Sequence, residues 1–325
     1  MSREAFRAKV ERVEALAALD DVALVNGLRK ALHDRSNYVV ARAATVATRR
    51  YATAMIPDLL AAYDRLFADE SDPLVLGKQA IAAALKELDH RDPEPFVRGV
   101  RHVQFEPVWG GREDHAGQLR ATCAHALVAC EMDGVRRLSL LADLLVDDDA
   151  SVRREAVRAL ANAGGHESVL LIRLKALTGD GEPEVLGACF VALLEIDPRE
   201  SVTFVERFLA SDDREVVIEA LVTLAGSREP EALAIVRRMW RDTTHLELRR
   251  AAIFACAASP LVEASEFLLA IVSDEDKALA IYAVSALAES RFRAEVAQRV
   301  RSAAERRGDA DVLAAYASAF ESQAR

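Results

Sequence analysis

Hydrophobic residues recur along the chain in blocks with helical spacing. Each block opens with an acidic or small polar turn, then has an aliphatic residue, Ala or Cys four positions later and usually Leu four positions after that, as in DDDASVRREAVRAL at residues 147–160. Positions i, i+4 and i+8 lie along one face of a helix, so each block predicts a helix with one packing face. The blocks are anchored at the aliphatic residues Val40, Leu76, Leu119, Val152, Val185, Val216, Leu248, Leu279 and Val312.

The residue four positions after each anchor is small in every block except the last. These residues are Ala44, Ala80, Cys123, Ala156, Cys189, Ala220, Ala252, Ala283 and Tyr316. Helices approach each other closely only where side chains are small. The column therefore predicts the packing face of an inner helix.

A second amphipathic run lies between consecutive blocks, for example at residues 134–146 and 198–210. Each repeat is therefore predicted to be a pair of helices. A pair of about 32 residues cannot bury its apolar face alone, so neighbouring pairs must stack. The pattern predicts a single elongated all-α domain over residues 1–325, with a capping helix at 3–18 and nine helix pairs over 20–322.

The motif D-x-x-x-V-R-x-x-A-x-x-A-L, at Asp148–Leu160, resembles the short HEAT repeats of bacterial proteins, the type found in bilin lyases. The resemblance covers residues 20–322. It implies an α-solenoid, or superhelix, whose inner helices form a concave surface. It implies no particular activity, because HEAT solenoids include scaffolds, lyases and hydroxylases and a fold does not determine a function.

Composition narrows the possible locations of the protein. The first residues carry charges every few positions, unlike a secretory signal, and no apolar run approaches the roughly 18 residues of a membrane span. Four cysteines without C-x-x-C spacing fall in apolar helical patterns, which predicts reduced, buried thiols. We therefore expect a cytoplasmic protein without a membrane segment.

Three arginines follow their anchors directly: Arg120, Arg153 and Arg249. We expect each to pair with an Asp of the preceding turn or of the neighbouring repeat. The alternative is an anion-binding surface, formed by the next basic column of Arg42, Lys78, Arg154 and Arg250. That column is interrupted in other repeats and the formal net charge is −10, so a continuous nucleic-acid track is not favoured.

One repeat is longer than the others. The step from Leu76 to Leu119 is 43 residues, whereas the other steps are 31 to 36. Pro107 and the pair Gly110–Gly111 break helix there, which predicts an inserted loop at about residues 104–115. Long insertions with Trp, Arg and Gly on a rigid scaffold often carry function.

The predicted contact residues of this region are His102, Gln104, Glu106, Trp109, Gly110, Gly111, Arg112, Asp114 and Arg120. Trp109 is the expected anchor, because Trp and Arg are enriched among residues that dominate binding energy. The alternative is structural: Phe105 and Trp109 fold back to plug a gap between repeats.

No catalytic motif is present. The sequence lacks G-x-S-x-G, the phosphate-binding G-x-x-x-x-G-K-[ST], and any H-E-x-x-H or C-x-x-C metal-ligand pair. Runs of acidic residues stand just before inner helices, where N-capping is their expected role. We therefore predict no catalytic residue, no metal and no cofactor.

The sequence favours a non-catalytic scaffold that binds a protein partner through the concave surface and the 104–115 loop. A lyase-like or cofactor-handling protein is the alternative, and nucleic-acid binding is a distant third. A basic segment near the C-terminal end is either the solvated outer face of a capping repeat or a further docking patch, for an acidic partner. It consists of Arg291, Arg293, Arg299, Arg301, Arg306 and Arg307.

Overall fold

A computed structural model describes residues 3–68 and 72–321. The chain forms two compact units, residues 1–168 and 169–325, and the boundary falls within the helix Gly165–Thr178. The expectation of a single domain over residues 1–325 stays a prediction.

The first unit contains an inner and an outer layer of helices. Its elements are α1 (Arg3–Ala15), α2 (Asp21–Leu32), α3 (Asn37–Arg49), α4 (Ile56–Ala68), α5 (Leu76–Glu87), α6 (Glu94–Val100), β1 (Phe105–Val108), β2 (Gly111–Asp114), α7 (Gly117–Ala129), α8 (Gly134–Leu144) and α9 (Ala150–Ala163). The inner helices α1, α3, α5, α7 and α9 pack on one another in chain order, while α2 packs on α4 and α6 on α8.

The helix that contains the boundary is α10 (Gly165–Thr178). The second unit repeats the layered arrangement with α11 (Pro183–Ile196), α12 (Pro198–Glu206), α13 (Arg214–Gly226), α14 (Pro230–Asp242), α15 (Leu246–Ala258), α16 (Val262–Asp274), α17 (Lys277–Glu289), α18 (Arg293–Arg307) and α19 (Ala310–Tyr316). The inner helices α11, α13, α15, α17 and α19 pack in order, and α12 packs on α14 and α16 on α18.

Over the described residues, α1 thus precedes nine helix pairs, from α2 and α3 to α18 and α19. The 3-10 turn Leu16–Ala18 extends α1 to the predicted end of the capping helix. The all-α solenoid architecture is confirmed. None of the helices in the described ranges has the length and apolar character needed to cross a membrane.

Aspartates begin the inner helices, as the acidic runs predicted. Asp149, Asp213 and Asp276 accept hydrogen bonds from backbone N–H groups in the first turns of α9, α13 and α17. These N–H groups have no partner within the helix, so a carboxylate there satisfies them and opposes the positive end of the helix dipole.

The predicted repeat register is wrong by one residue in α3 and α5. Leu76 is 38% exposed, whereas Gly77 and Lys78 are buried. The buried positions of α5 match those of later inner helices only when Gly77 takes the anchor position, as Val39 does in α3. The shift arises because buried residues in one short helix fit two neighbouring registers almost equally well.

The arginines after the anchors make structural contacts, and Arg120 has the Asp partner that was expected. Arg120 pairs with Asp147 of the next repeat, and Arg249 lies 3.4 Å from Glu275. Arg153 donates to the carbonyl oxygen of Asp147 at 2.8 Å. In the corrected register Lys78 occupies this same position in α5, so it belongs to the structural column and not to the neighbouring one.

The four cysteines lie in or at the ends of inner helices and all are free and buried. Burial raises the pKa of the Cys123, Cys189 and Cys256 thiols to about 12 and that of Cys130 to about 11. Thiolate is therefore scarce at neutral pH. The prediction of reduced, buried thiols is confirmed.

Candidate functional site

The segment predicted as a loop at residues 104–115 is an antiparallel β-hairpin. Strands β1 and β2 pair with Phe105 opposite Asp114, and Trp109 and Gly110 form the turn. Gly110 has a φ of +92°, a conformation that favours glycine. The residues that end the helical pattern thus permit a regular two-residue turn.

The hairpin exposes apolar side chains at its tip and at its base. Trp109 is fully exposed, and Val103 and Phe105 are about half exposed. The guanidinium of Arg112 donates to the carbonyl oxygen of Phe105 at 3.0 Å and lies 6.0 Å from the centre of its ring. The alternative in which Phe105 and Trp109 plug a gap between repeats is wrong, because neither side chain is buried.

Arg120 of α7 ties the base of the hairpin to the helices. This buried guanidinium donates to Asp114 at 2.6 Å, to the carbonyl oxygen of His102 at 3.0 Å, and through two parallel bonds of 2.7 and 2.8 Å to Asp147. A bidentate pair fixes orientation as well as distance. Arg120 therefore joins both ends of the inserted segment to the next repeat.

Gln104 is the central residue of the base. Its backbone N–H donates to Asp114 at 2.8 Å, and its Nε2 donates to the carbonyl oxygen of Asp72 at 2.8 Å and to Glu106 at 2.6 Å. Its Oε1 accepts from Lys78 Nζ at 2.6 Å. The side-chain amide of Gln104 thus uses both its donor and its acceptor atoms, which fixes the entry of β1.

His102 is half-buried beside this network. Its Nε2 lies 3.2 Å both from Lys78 Nζ, which can only donate, and from Gln104 Oε1, which can only accept. Burial, and then the charge of Lys78, lower the pKa of His102 below its ordinary 6.5. The imidazole is therefore neutral at neutral pH.

Asp72 caps the N-terminus of α5 although it lies four residues before the helix begins. Its buried carboxylate accepts from the backbone N–H groups of Gly77 at 2.8 Å and Lys78 at 2.7 Å, and from Asn37 Nδ2 at 2.8 Å. It caps the helix across the intervening 3-10 turn Pro73–Val75. The cap thus links the starts of two neighbouring inner helices.

The same turn is strained. Leu74 and Val75 have φ values of +58° and +57°, which are rare for residues other than glycine and most of all for a β-branched one. Such conformations cost about 1–3 kcal/mol and persist only where the surroundings impose them. Here Glu106 accepts from the N–H of Leu74 at 2.7 Å, so the hairpin helps to hold the turn.

The predicted contact residues divide into two groups. His102, Gln104, Glu106, Asp114 and Arg120 come together at the base, where their hydrogen bonds hold the hairpin. The turn and the strand after it carry Trp109, Gly110, Gly111 and Arg112. The first group has a structural role in this arrangement, and a role in binding stays a prediction for both.

Three residues of the base were not among the predicted contacts: Asp72, Lys78 and Asp147. A signal existed. Asp72 precedes Lys78 by six residues, the same separation as between Asp147 and Arg153, and Lys is rare in this arginine-rich chain. The one-residue register error concealed this correspondence.

A groove of about 700 Å³ lies between α4 and α6, next to the base. Phe67, Arg98 and His102 contribute to its wall, and the Arg98 guanidinium lies 3.9 Å from the centre of the Phe67 ring. Within residues 3–68 and 72–321, no three His, Cys, Asp or Glu side chains are grouped as metal ligands would be.

The basic segment at the C-terminal end is largely engaged in the second unit. Arg299 pairs with Glu266 and Arg301 with Glu305. Arg293 and Arg307 donate to backbone carbonyl oxygens. A docking role for this segment stays a prediction.

Comparisons with known proteins identify the repeats. Residues 170–257 match a family model described as HEAT repeats. No curated protein matches the chain.

Comparison with solved structures gives several matches. A chain of a homology model of the full-length AP-3 complex in an intermediate open conformation has a TM-score of 0.58 and 12% identity, covering 94% of this chain and 58% of its own length. Kap121p has a TM-score of 0.47 and 13% identity, covering 98% of this chain and 42% of its own length. The complex of CpcE and CpcF of phycocyanin lyase from Nostoc sp. has a TM-score of 0.36 and 16% identity, covering 78% of this chain and 90% of its own length. At 12% identity the likeness to the AP-3 chain concerns the fold alone, and this chain spans little more than half of that chain.

Proposed function

We propose that this chain, which is a HEAT-repeat protein, is a non-catalytic scaffold that binds a protein partner through the hairpin at residues 104–115. One observation supports the proposal above the others: Trp109 is fully exposed at the tip of a hairpin whose base is held by buried ionic and hydrogen-bonding groups. A large aromatic side chain on a rigid support is what a binding hot spot requires.

The exposure of neighbouring apolar side chains supports the same conclusion. Val103, just before β1, and Phe105 and Val108, at the two ends of β1, are also exposed. Apolar groups concentrated on one projecting element are typical of interaction sites. Arg112 beside Phe105 adds a group that is enriched in interfaces.

The test is capture from a lysate of the native organism, with wild-type protein, a Trp109→Ala and Arg112→Ala double variant, and Val135→Ala as a matched control. Val135 is another exposed apolar residue, on α8. We expect one protein to be retained by wild type and control and lost with the double variant. The affinity of that purified protein for Trp109→Ala should then fall by about 2 kcal/mol, roughly 30-fold in Kd.

The stability of Trp109→Ala provides the internal control. Because the Trp109 side chain is fully exposed, the free energy of unfolding of the variant should remain within about 0.5 kcal/mol of that of wild type. Equal capture by all three proteins would refute the proposal. Retention of a small molecule without a protein partner would favour the lyase-like alternative.

A further inference from the structure

A row of exposed apolar residues crosses three inner helices of the second unit. Val191 of α11, Val222 of α13 and Phe254 of α15 each stand six residues after their anchor and are 45%, 49% and 49% exposed. The next inner helix, α17, has Ser285 at this position. The apolar row is therefore confined to three neighbouring repeats.

A cleft of about 510 Å³ lies at one end of the row, between α11 and α13. Val191, Leu194 and Val222 form its apolar wall, and Glu195 and Glu219 lie on its polar side. The Glu219 carboxylate lies over Gly187 of α11, where any Cβ would be 2.0 Å from its Oε2. Gly187 thus leaves the space in which Glu219 reaches across to the neighbouring helix.

The charge around the cleft is unbalanced. Helices α11 and α13 carry four glutamates, Glu184, Glu195, Glu215 and Glu219, and a single basic residue, Arg214. Arg214 is engaged with Glu247 of α15 at 2.7 Å. Within the described residues none of the four glutamates forms an ion pair, and burial, followed by the charge of Glu184, raises the pKa of Glu219.

Positive charge is found at the edge of the cleft and at the other end of the row. Arg228 lies at the rim beside Glu229, and the Arg250 guanidinium on α15 stacks 4.3 Å from the centre of the Tyr282 ring. The apolar row thus runs across all three helices, and acidic side chains accompany it on α11 and α13. A ligand that matches it combines apolar groups with positive charge at one end.

We propose that this surface, Val191, Val222 and Phe254 with Glu195 and Glu219, binds a basic amphipathic helix of a protein partner. Neighbouring helices pack about 8–10 Å apart, and residues i and i+7 of a helix are about 10.5 Å apart along its axis. A helix crossing the inner helices can therefore place one apolar side chain on each row residue. A Lys or Arg near its end at α11 then lies beside Glu195 and Glu219.

This inference rests on the proposed function only in assuming a protein partner, and it uses no residue of the hairpin. A nucleic acid is disfavoured because its phosphates would meet four glutamates. An acidic segment meets the same repulsion, and an uncharged apolar one leaves the carboxylates without a partner.

The test measures fluorescence anisotropy with a labelled synthetic helix that has Leu at heptad spacing and Lys and Arg on the flanking positions. Two matched probes carry Glu in place of Lys and Arg, or the same residues in scrambled order. We expect the basic probe to bind wild type at least about tenfold more tightly than either matched probe.

Variants locate the binding on this surface. Glu195→Gln with Glu219→Gln should weaken binding about tenfold, and Val222→Ser should weaken it about fivefold. The control, Glu200→Gln with Glu231→Gln, neutralises two exposed glutamates of outer helices and should change affinity less than twofold. Circular dichroism confirms that every variant is folded.

Absence of binding to wild type, equal binding of the scrambled probe, or unchanged affinity in the Glu195 and Glu219 double variant each overturns the inference. Trp109→Ala should bind the basic probe as wild type does. Failure of the hairpin proposal is therefore read from the capture experiment, and failure of this inference from the peptide.

Discussion

At the scale of single residues, the fold changes the ionisation of His102. Its Nε2 lies 3.2 Å from Lys78 Nζ, so protonation of the imidazole would place two positive charges side by side. Its pKa in the folded protein is below 6.5, first through burial and then through Lys78. Protonation of His102 therefore destabilises the folded protein relative to the unfolded chain.

The expected consequence is a loss of stability in mild acid. The unfolded chain binds the His102 proton more readily than the folded protein, so the free energy of unfolding should fall as pH drops below about 6.5 towards the lowered pKa. His102→Gln should lose this component. Urea unfolding of both proteins between about pH 7 and pH 5 checks it, and identical pH dependence of wild type and variant would contradict it.

The turn glycines differ although they are adjacent. Gly110 has a positive φ, whereas Gly111 does not, and a Cβ on either would meet nothing within 4 Å. Gly110→Ala should therefore destabilise the turn by about 1 kcal/mol through backbone strain alone, while Gly111→Ala should not. Hydrogen exchange at the β1 and β2 amides checks the difference, and equal exchange in the two variants would show that the turn tolerates either residue.

At the scale of elements, the hairpin depends on contacts with helices on both sides in sequence. Glu106 reaches the turn before α5, and Asp114 and the carbonyl oxygen of His102 are bound by Arg120 of α7. Burial alone would raise the pKa of Asp114, but bonds from the N–H groups of Gln104 and Ala116 and from Arg120 hold it below its usual value. The carboxylate is therefore ionised across the physiological range.

Arg120→Ala tests this attachment. The substitution leaves Asp114 and Asp147 partly buried without their cation, which should lower the free energy of unfolding by about 3–5 kcal/mol. Arg112→Ala, at an exposed position on β2, should cost less than about 0.5 kcal/mol. Chemical denaturation compares the two. A loss of under about 1 kcal/mol for Arg120→Ala would mean that water replaces the ion pairs without cost.

At the scale of the whole molecule, the repeats keep one internal pattern and vary their exposed positions. The anchor position and the one four residues later stay apolar or small because each inner helix must pack on the next. Exposed positions have no such requirement, and the two proposed binding surfaces occur where they depart most from the common pattern. One is an inserted hairpin, and the other is a row of three apolar residues.

The net charge of −10 predicts a global property as well. Without a continuous basic surface, the protein should not be retained on double-stranded DNA or heparin even at about 50 mM salt, where phosphate contacts are strongest. Column retention against salt concentration measures this. Retention at low salt that disappears at higher salt would restore the anion-surface alternative for Arg42, Arg154 and Arg250.

The sequence by itself determined the number of helix pairs, the inner faces of most of them, several capping aspartates and the position of the insertion. These features depend on short-range rules: a side chain meets the residue three or four positions away, and a cap satisfies N–H groups two or three positions away. The partners of Arg120 and Arg249 were also foreseeable, because stacked repeats bring equivalent positions together at a fixed separation in sequence.

Only the tertiary structure decided what the insertion is and how it is held. Strand pairing within the hairpin, the exposure of Trp109 and the network of Asp72, Lys78 and Gln104 depend on how closely neighbouring repeats stack. Both contacts involve Gln104, which belongs to the inserted segment, so the repeat pattern does not predict them. The register of α5 also depends on tertiary structure, because it is identified by which of its side chains are buried.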